Sequence, residues 1–552
     1  MPKDTCRAAV RILAAVLFLA GSGSGCARKA SDAPAAPGVL EPPPISKALP
    51  PGSGKPSGWA DPPSLSPPTV VSTPPANPAP TPPPIAAVAF VPKSGYVHKP
   101  IAADPKDPMV AGMRKALEFY AGKPFRHGNW PKGGGWCGAY SEDFRKGSGE
   151  NVTVPWDTIR IQPIATPDIA QVYLMAWMRL GDPKWLDAAK IVGETLVAGQ
   201  TKHGGWGYEI CLAKDGPRNV HVGGGSGKTD WGAAGPPEGS QTNIYDDGCT
   251  YACAEYLYKL WWATDDPRWY LGWKRAMDGI VGSQRSDGGF PQYFPGGGFH
   301  GATTFNDGVM LNSCSDLLRA WRRTGDSKYL DSLKKVADYL VAAQSKLGGW
   351  GAVIGDGYKP IQARSFEPPG LGPDATSDAI QILVWVHEAT GEAKYLALVA
   401  KAAEWLEKAQ TEPGKWHRYY NPESGRPVGG GKSGYVWDGA WGAEGIALAK
   451  AVKGKGAQPP MPVPAGGDPS FDLRFLRATG GKMKSTPEAI LEEQSEDGSW
   501  VLRRKIDSRR FHSYMHQLFA ALGAKYGTKA PEFPALSPAE SFAPAEAEPE
   551  GE

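Results

Sequence analysis

Apolar side chains recur at three- and four-residue spacing over several long segments of the chain, and this period predicts amphipathic helices. Clear examples are AEYLYKLWWAT at residues 254–264 and YLDSLKKVADYLVAAQ at residues 329–344. Short turns rich in Gly and Asp separate one run from the next. The pattern therefore predicts consecutive helices joined as hairpins.

Two motifs repeat along the chain at a fixed offset. A glutamine precedes an aromatic residue by six positions in five places: Gln200 and Trp206, Gln284 and Phe290, Gln344 and Trp350, Gln410 and Trp416, Gln494 and Trp500. A turn motif stands nineteen residues before four of these glutamines, as GDPKWL from Gly181, DDPRWY from Asp265, GDSKYL from Gly325 and GEAKYL from Gly391. Glutamine and glycine suit a helix end, and the aromatic residue can pack beneath it, so we interpret the repeat as structural.

Repeated helical hairpins that close on themselves give an α/α toroid, with the long loops gathered at one rim. The predicted fold class is therefore all-α. Residues 101–456 are expected to form the toroid, and residues 457–527 are expected to complete or flank it. A monomer is expected.

The two ends of the chain differ in composition from the helical region. Residues 1–26 carry early positive charge, an apolar run and small residues before Cys26, as in a secretory signal. Cys26 also suits a lipoprotein cleavage site, and a lipid anchor there is left open. Residues 27–100, rich in Pro and Ala, and the acidic tail 528–552 are predicted to be disordered. The chain is expected to be exported, as a secreted, periplasmic or outer-membrane-anchored protein.

Charge and cysteine content narrow the functions further. The net charge is +3 and no basic block is present, so no nucleic-acid partner is expected. Five cysteines follow the predicted signal, and they lack the paired Cys-x-x-Cys spacing of a zinc site.

Polar and aromatic motifs are concentrated in the long loops between residues 243 and 427. In chain order they are Asp246-Asp247-Gly248-Cys249-Thr250, Phe290-Pro291-Gln292-Tyr293-Phe294-Pro295, Thr304-Phe305-Asn306-Asp307-Gly308, Lys359-Pro360-Ile361-Gln362-Ala363-Arg364-Ser365-Phe366-Glu367 and Arg418-Tyr419-Tyr420. Taken together and in this order, they resemble the motifs of the pectate lyases of polysaccharide lyase family 10. The segments Ile354–Gly357 and Gly370–Thr376 depart from that family's pattern.

The resemblance implies calcium-assisted β-elimination on polygalacturonate, an acidic polysaccharide. It implies Asp246 and Asp307 as the key aspartates near Ca²⁺ and Arg364 as the catalytic base. Substrate binding is expected of four further residues: Lys359, Arg418, His300 and Asp247. The residue types suit this chemistry, because aspartates bind hard divalent ions and arginines bind carboxylates in a planar fork.

Several alternatives stay open at the level of sequence. Asp246, Asp247 and Asp307 precede predicted helices, where aspartate is also a favoured N-cap, and either Asp246 or Asp247 could face the ion. Arg364 could instead be a loop arginine paired with Glu367. The alternative functions are a non-catalytic surface protein that binds acidic polysaccharides, a lyase for another uronic acid polymer, and a terpene cyclase or prenyltransferase toroid.

Overall fold

The computed structural model describes residues 94–149, 152–220, 240–429, 439–440, 442–455, 484–502 and 504–527. These residues belong to one compact unit, which spans Ile85–Glu552. The predicted signal, residues 27–93 of the predicted linker and the acidic tail lie outside the described residues. Residues 94–100 of that linker pack on the helical region, where the ring of His98 stacks on that of Trp177 with centroids 4.1 Å apart.

Helices dominate the part of the chain that the structure describes. They are α1 (Pro108–Ala121), α2 (Thr166–Leu180), α3 (Pro183–Ala198), α4 (Cys249–Thr264), α5 (Pro267–Ser283), α6 (Val309–Thr324), α7 (Ser327–Ala343), α8 (Pro373–Thr390), α9 (Lys394–Lys408), α10 (Ala443–Lys455), α11 (Pro487–Glu492) and α12 (Ser508–Lys525). Within the described ranges, no helix is both long enough and apolar enough to cross a membrane.

The helices form two concentric series. Helices α2, α4, α6 and α8 each pair with the helix that follows, giving the hairpins α2–α3, α4–α5, α6–α7 and α8–α9. The first helices of these hairpins and α10 contact one another in chain order, while α12 contacts both α1 and α2. The C-terminal helix thus returns to the first helices, and the predicted all-α toroid of helical hairpins is confirmed.

The repeated motifs have clear structural roles. In three of the four turn motifs an aspartate caps the second helix, as Asp182 does for Lys184, Asp266 for Arg268 and Asp326 for Lys328. The fourth motif has Ala393 at the N-cap position and no side-chain cap. At the other end, the repeated tryptophan donates its indole N–H to a carbonyl ten residues earlier, as from Trp350 to Leu340 at 2.9 Å. The structural interpretation of the repeat is therefore confirmed.

The repeated glutamine joins one hairpin to the next. Gln284 donates from Nε2 to the carbonyl of Gly288 in its own turn at 2.9 Å and to that of Ser332 in α7 at 3.0 Å. Gln494 does the same with Gly498 at 3.1 Å and with Gly112 in α1 at 3.0 Å. The last repeat unit is thus bonded to the first helix.

Short strands connect the long loops to one another. They are β1 (Ala139–Tyr140), β2 (Gly147–Gly149), β3 (Val152–Val154), β4 (Thr158–Arg160), β5 (Glu209–Ala213), β6 (Gly216–Val220), β7 (Asn243–Ile244), β8 (Tyr293–Phe294), β9 (Thr303–Thr304), β10 (Trp350–Gly351), β11 (Val353–Ile354), β12 (Leu371–Gly372), β13 (Val501–Leu502) and β14 (Lys505–Asp507). Antiparallel pairs link β7 with β8 and β9 with β11, and a bridge joins Leu371 to Tyr420. Consecutive loops therefore lie side by side at one rim, as predicted.

Candidate functional site

Two equivalent turns lie against each other at this rim. Tyr245-Asp246-Asp247-Gly248 precedes α4, and Phe305-Asn306-Asp307-Gly308 precedes α6. The turns contact each other, and Asp247 and Asp307 occupy the same position with φ of 50° and 53°. A positive φ is strained for a residue with a Cβ, and such strain is often found at functional sites.

The aspartates of these turns are not helix caps. The N-cap positions of α4 and α6 are Gly248 and Gly308, and neither helix has a side-chain capping hydrogen bond. The capping interpretation of Asp246, Asp247 and Asp307 is therefore wrong. Instead, one carboxylate oxygen from each of the three lies within 4.8 Å of the others.

Neutral donors hold two of these carboxylates in place. Tyr208 donates its hydroxyl to Oδ2 of Asp246, and Gln292 donates its amide to Oδ1 of Asp246 at 2.7 Å. Gln162 donates to Oδ2 of Asp247. Gln162 and Tyr208 escaped the sequence analysis, because they lie 85 and 38 residues from the carboxylates they bind and belong to no recurring motif.

The close approach of the three carboxylates changes the titration of Asp307. The pKa of Asp307 is raised to about 8, with partial desolvation of its carboxyl group as the largest cause and the nearby carboxylates of Asp246 and Asp247 adding to it. Arg364 opposes this effect. The nearby Arg160 is already paired with the buried Glu209. Three converging carboxylates of this kind could hold a hard divalent cation.

The structure brings the two predicted arginines to the same place. Glu367, with 2% of its side chain exposed, accepts hydrogen bonds from Nε of Arg364 at 2.7 Å and from Nη2 at 2.6 Å. Nη2 of Arg418 lies 3.9 Å from the same carboxylate. Asn306, next to Asp307 in the turn, donates its amide to Glu367 at 3.3 Å. Glu367 thus connects the aspartate cluster with both arginines, and the proposed pairing of Arg364 with Glu367 is observed.

The other two predicted site residues have different surroundings. Lys359 is exposed in the loop between α7 and α8, where its carbonyl accepts a hydrogen bond from the Gly355 amide at 2.9 Å. His300 lies 2.7 Å from Oε1 of Gln292 through Nδ1, and its ring stacks on Tyr293 with centroids 4.2 Å apart. His300 therefore touches the residue that binds Asp246.

Comparison with protein families gives one match, which covers residues 200–318 and is described as pectic acid lyase. This segment of the chain therefore matches the family that the sequence motifs indicate. The predicted family and the predicted assignment to the lyases are thereby confirmed. The pectic acid lyase segment contains Asp246, Asp247, His300 and Asp307, whereas Arg364 lies beyond its end. No curated protein matches the chain.

Solved structures similar to this chain were also found. A family 10 polysaccharide lyase from Cellvibrio cellulosa, a mutant in complex with trigalacturonic acid, is 19% identical over 51% of this chain and 98% of its own, with a TM-score of 0.38. A family 76 glycoside hydrolase from a bovine Bacteroides thetaiotaomicron strain is 13% identical over 76% of this chain and 78% of its own, also with a TM-score of 0.38.

Proposed function

We propose that this chain is a calcium-dependent pectate lyase that cleaves polygalacturonate by β-elimination, with Arg364 as the base. One observation carries the proposal: the acidic cluster of Asp246, Asp247 and Asp307 lies beside Arg364, to which it is connected through Asn306 and Glu367. The family match over residues 200–318 supports it.

The reaction needs a base on one side of the sugar and neutralised charge on the other. The base removes the C5 proton, the electron pair forms the C4–C5 double bond, and the C4–oxygen bond breaks. The departing oxygen takes a proton from solvent. The C5 proton is very weakly acidic while the adjacent carboxylate keeps its charge. A bound Ca²⁺ would neutralise that carboxylate and so raise the acidity of the C5 proton.

The residues of the acidic cluster fit such an ion. Asp246, Asp247 and Asp307 offer converging carboxylate oxygens, the ligand type that calcium prefers. The pKa of Asp307 is raised first by desolvation of its carboxyl group and then by the neighbouring carboxylates of Asp246 and Asp247. Asp246 and Asp307 would hold the ion, and Asp247 would contribute to the same site and to substrate binding.

Arg364 is suited to its task by the way it is held. Glu367 accepts hydrogen bonds from Nε and Nη2, and among the described residues nothing accepts one from Nη1. With 48% of the side chain exposed, Nη1 can reach a substrate bound at the acidic cluster. Because a guanidinium ordinarily stays protonated, the neutral form that accepts the C5 proton is favoured at alkaline pH.

Arg418 and Lys359 would bind the other carboxylates of the polymer. The guanidinium of Arg418 lies beside Glu367, as that of Arg364 does, with its Cζ 5.4 Å from the ring centre of Tyr419. The side chain of Lys359 is exposed to solvent. A polyanion with one carboxylate per sugar offers a partner to each cation.

A lyase assay tests this function directly. Polygalacturonate and Ca²⁺ should give the ultraviolet absorption of an unsaturated uronate product, and a chelator should abolish it. Other uronic acid polymers run in parallel would reveal a lyase of different preference. Retention on immobilised pectate without any product would show a non-catalytic binding protein and overturn the proposal.

We further propose that the chain is exported through residues 1–26. Fractionation of cells that express the full chain should place it in the periplasm, the medium or the outer membrane. Replacing Cys26 with Ala tests the lipid anchor, since only a lipoprotein would leave the membrane fraction. A cytoplasmic chain of unchanged mass would contradict export.

A further inference from the structure

Asp246 belongs to a ring of side-chain contacts whose other members have no assigned part in the proposed reaction. Gln292 and Tyr208 each donate a hydrogen bond to one of its two oxygens. His300 lies 2.7 Å from the other end of the Gln292 amide. Tyr293 stacks under His300, and its hydroxyl is 3.3 Å from that of Tyr208. These contacts therefore form a closed ring that begins and ends at Asp246.

The direction of each hydrogen bond follows from Asp246. An ionised carboxylate only accepts hydrogen bonds, so Gln292 must present its NH₂ group to Asp246 and its carbonyl oxygen to His300. That carbonyl is an acceptor, so Nδ1 of His300 must carry a hydrogen. Without this donor the Gln292 amide loses the partner that fixes which of its two ends faces the carboxylate.

The surroundings keep this arrangement rigid. Gln292 is 6% exposed, so water has little access to its amide. The ring of His300 contacts two aromatic rings, that of Tyr293 at 4.2 Å and nearly parallel and that of Phe299 at 3.9 Å. These ring contacts favour the orientation in which Nδ1 of His300 faces Gln292.

We infer that His300 and Gln292 are positioning residues that fix the orientation of Asp246 toward a bound calcium ion, and that His300 does not contact the substrate. This inference rests on the proposed function. Groups that orient a metal-binding carboxylate typically change metal affinity by about 10- to 100-fold when they are removed. Residues that do not themselves bind the ion should therefore control the affinity of the chain for Ca²⁺.

Calcium binding to the full chain, measured by isothermal titration calorimetry, tests the inference. His300→Phe keeps an aromatic ring for stacking and removes the Nδ1 donor, and Gln292→Met removes the amide at similar size. Both variants should bind Ca²⁺ about tenfold more weakly than the parent. His300→Asn is the matched control, because its amide nitrogen can take the place of Nδ1, and it should restore most of the affinity.

Steady-state kinetics and circular dichroism complete the experiment. The native far-ultraviolet spectrum should be kept in all three variants, and the activity lost in His300→Phe should return at high Ca²⁺. Unchanged Ca²⁺ affinity in both His300→Phe and Gln292→Met would overturn the inference, as would a raised KM for polygalacturonate at saturating Ca²⁺. A parent chain that binds no Ca²⁺ would overturn the proposed function itself, which separates the two failures.

Discussion

The carboxylate of Glu367 accepts three hydrogen bonds from Arg364: from the backbone amide at 3.1 Å, from Nε at 2.7 Å and from Nη2 at 2.6 Å. The two residues are only three positions apart in the sequence. The carboxylate is buried and the guanidinium reaches solvent. This contact raises the pKa of Arg364 above its ordinary value, and the Glu367 hydrogen bonds are the largest cause. The same contact that aims the proposed base therefore also opposes its loss of a proton.

The Glu367→Gln substitution should move the pH profile of the reaction. Removing the negative charge lowers the pKa of Arg364, so the neutral guanidine appears at a lower pH. The limb of the profile on which kcat rises with pH should shift toward neutral pH by roughly one unit or more. Glu423→Gln, a change at an exposed residue of the segment between α9 and α10, should leave the profile in place. An unmoved limb in Glu367→Gln would argue against Arg364 as the base.

Arg364→Lys should retain a positive charge but lose the planar fork that Glu367 holds. We expect kcat to fall by about 100-fold or more, the size of a general-base contribution, while the affinity for Ca²⁺ changes little. Arg426→Ala is a matched control at an exposed arginine. Steady-state kinetics at saturating Ca²⁺ measures the effect, and a variant with near-parental kcat would rule out the proposed role.

Gln494→Ala should destabilise the fold more than Gln410→Ala. Gln494 bonds the last repeat unit to Gly112 of α1, whereas Gln410 bonds within or beside its own turn, to Glu407 and Gly414. Loss of the two Gln494 hydrogen bonds should lower the free energy of unfolding by about 1–3 kcal/mol. Urea denaturation of both variants checks the difference. Equal losses of unfolding free energy in the two variants would show that the hydrogen bond from Gln494 to α1 does not add to the stability of the fold.

Asp168→Asn should alter how stability depends on pH. Burial raises the pKa of Asp168 to about 7, so the folded chain holds this proton more tightly than the unfolded chain does. The stability contributed by the protonated form is complete below about pH 4 and is lost as pH rises through 7. A shift of about three pH units corresponds to a cost of roughly 4 kcal/mol at most at pH 8.

The Asp168→Asn variant avoids this cost, while the oxygen of the new amide can still accept the hydrogen bond that Asp168 receives from the Ala165 amide. Relative to the parent, the variant should therefore gain stability at pH 8 compared with pH 5. Denaturant midpoints at the two pH values measure this. Asp331→Asn, at an exposed position of α7, should show no such change. The same pH dependence of stability in both variants would contradict a raised pKa for Asp168.

The helical repeat could be predicted from sequence because its determinants are local. Gln344 and Trp350 bond within one turn and its own helix, and that contact recurs at a fixed spacing wherever the motif does. The meeting of Asp307 with Arg364 could be anticipated only through the family resemblance, since 57 residues separate them in the sequence.

The hydrogen bonds around the acidic cluster could not be predicted in this way. Tyr208 and Gln162 reach Asp246 and Asp247 from separate loops, and nothing in their local sequence marks them as partners. The sequence position of Asp247 is likewise misleading, because an aspartate just before a helix ordinarily caps that helix. Here the left-handed turn moves the cap position to Gly248 and frees the carboxylate for the cluster.

The strand pairs between consecutive long loops have a consequence for how this rim can vary. Because β7 pairs with β8 and β9 with β11, each loop supplies the hydrogen-bonding edge of its neighbour. A single loop transplanted from another protein would leave its neighbour's edge unsatisfied. Transplants of adjacent loops together should be tolerated better, so we expect recombination between such proteins to succeed in blocks that keep a strand and its partner from the same parent.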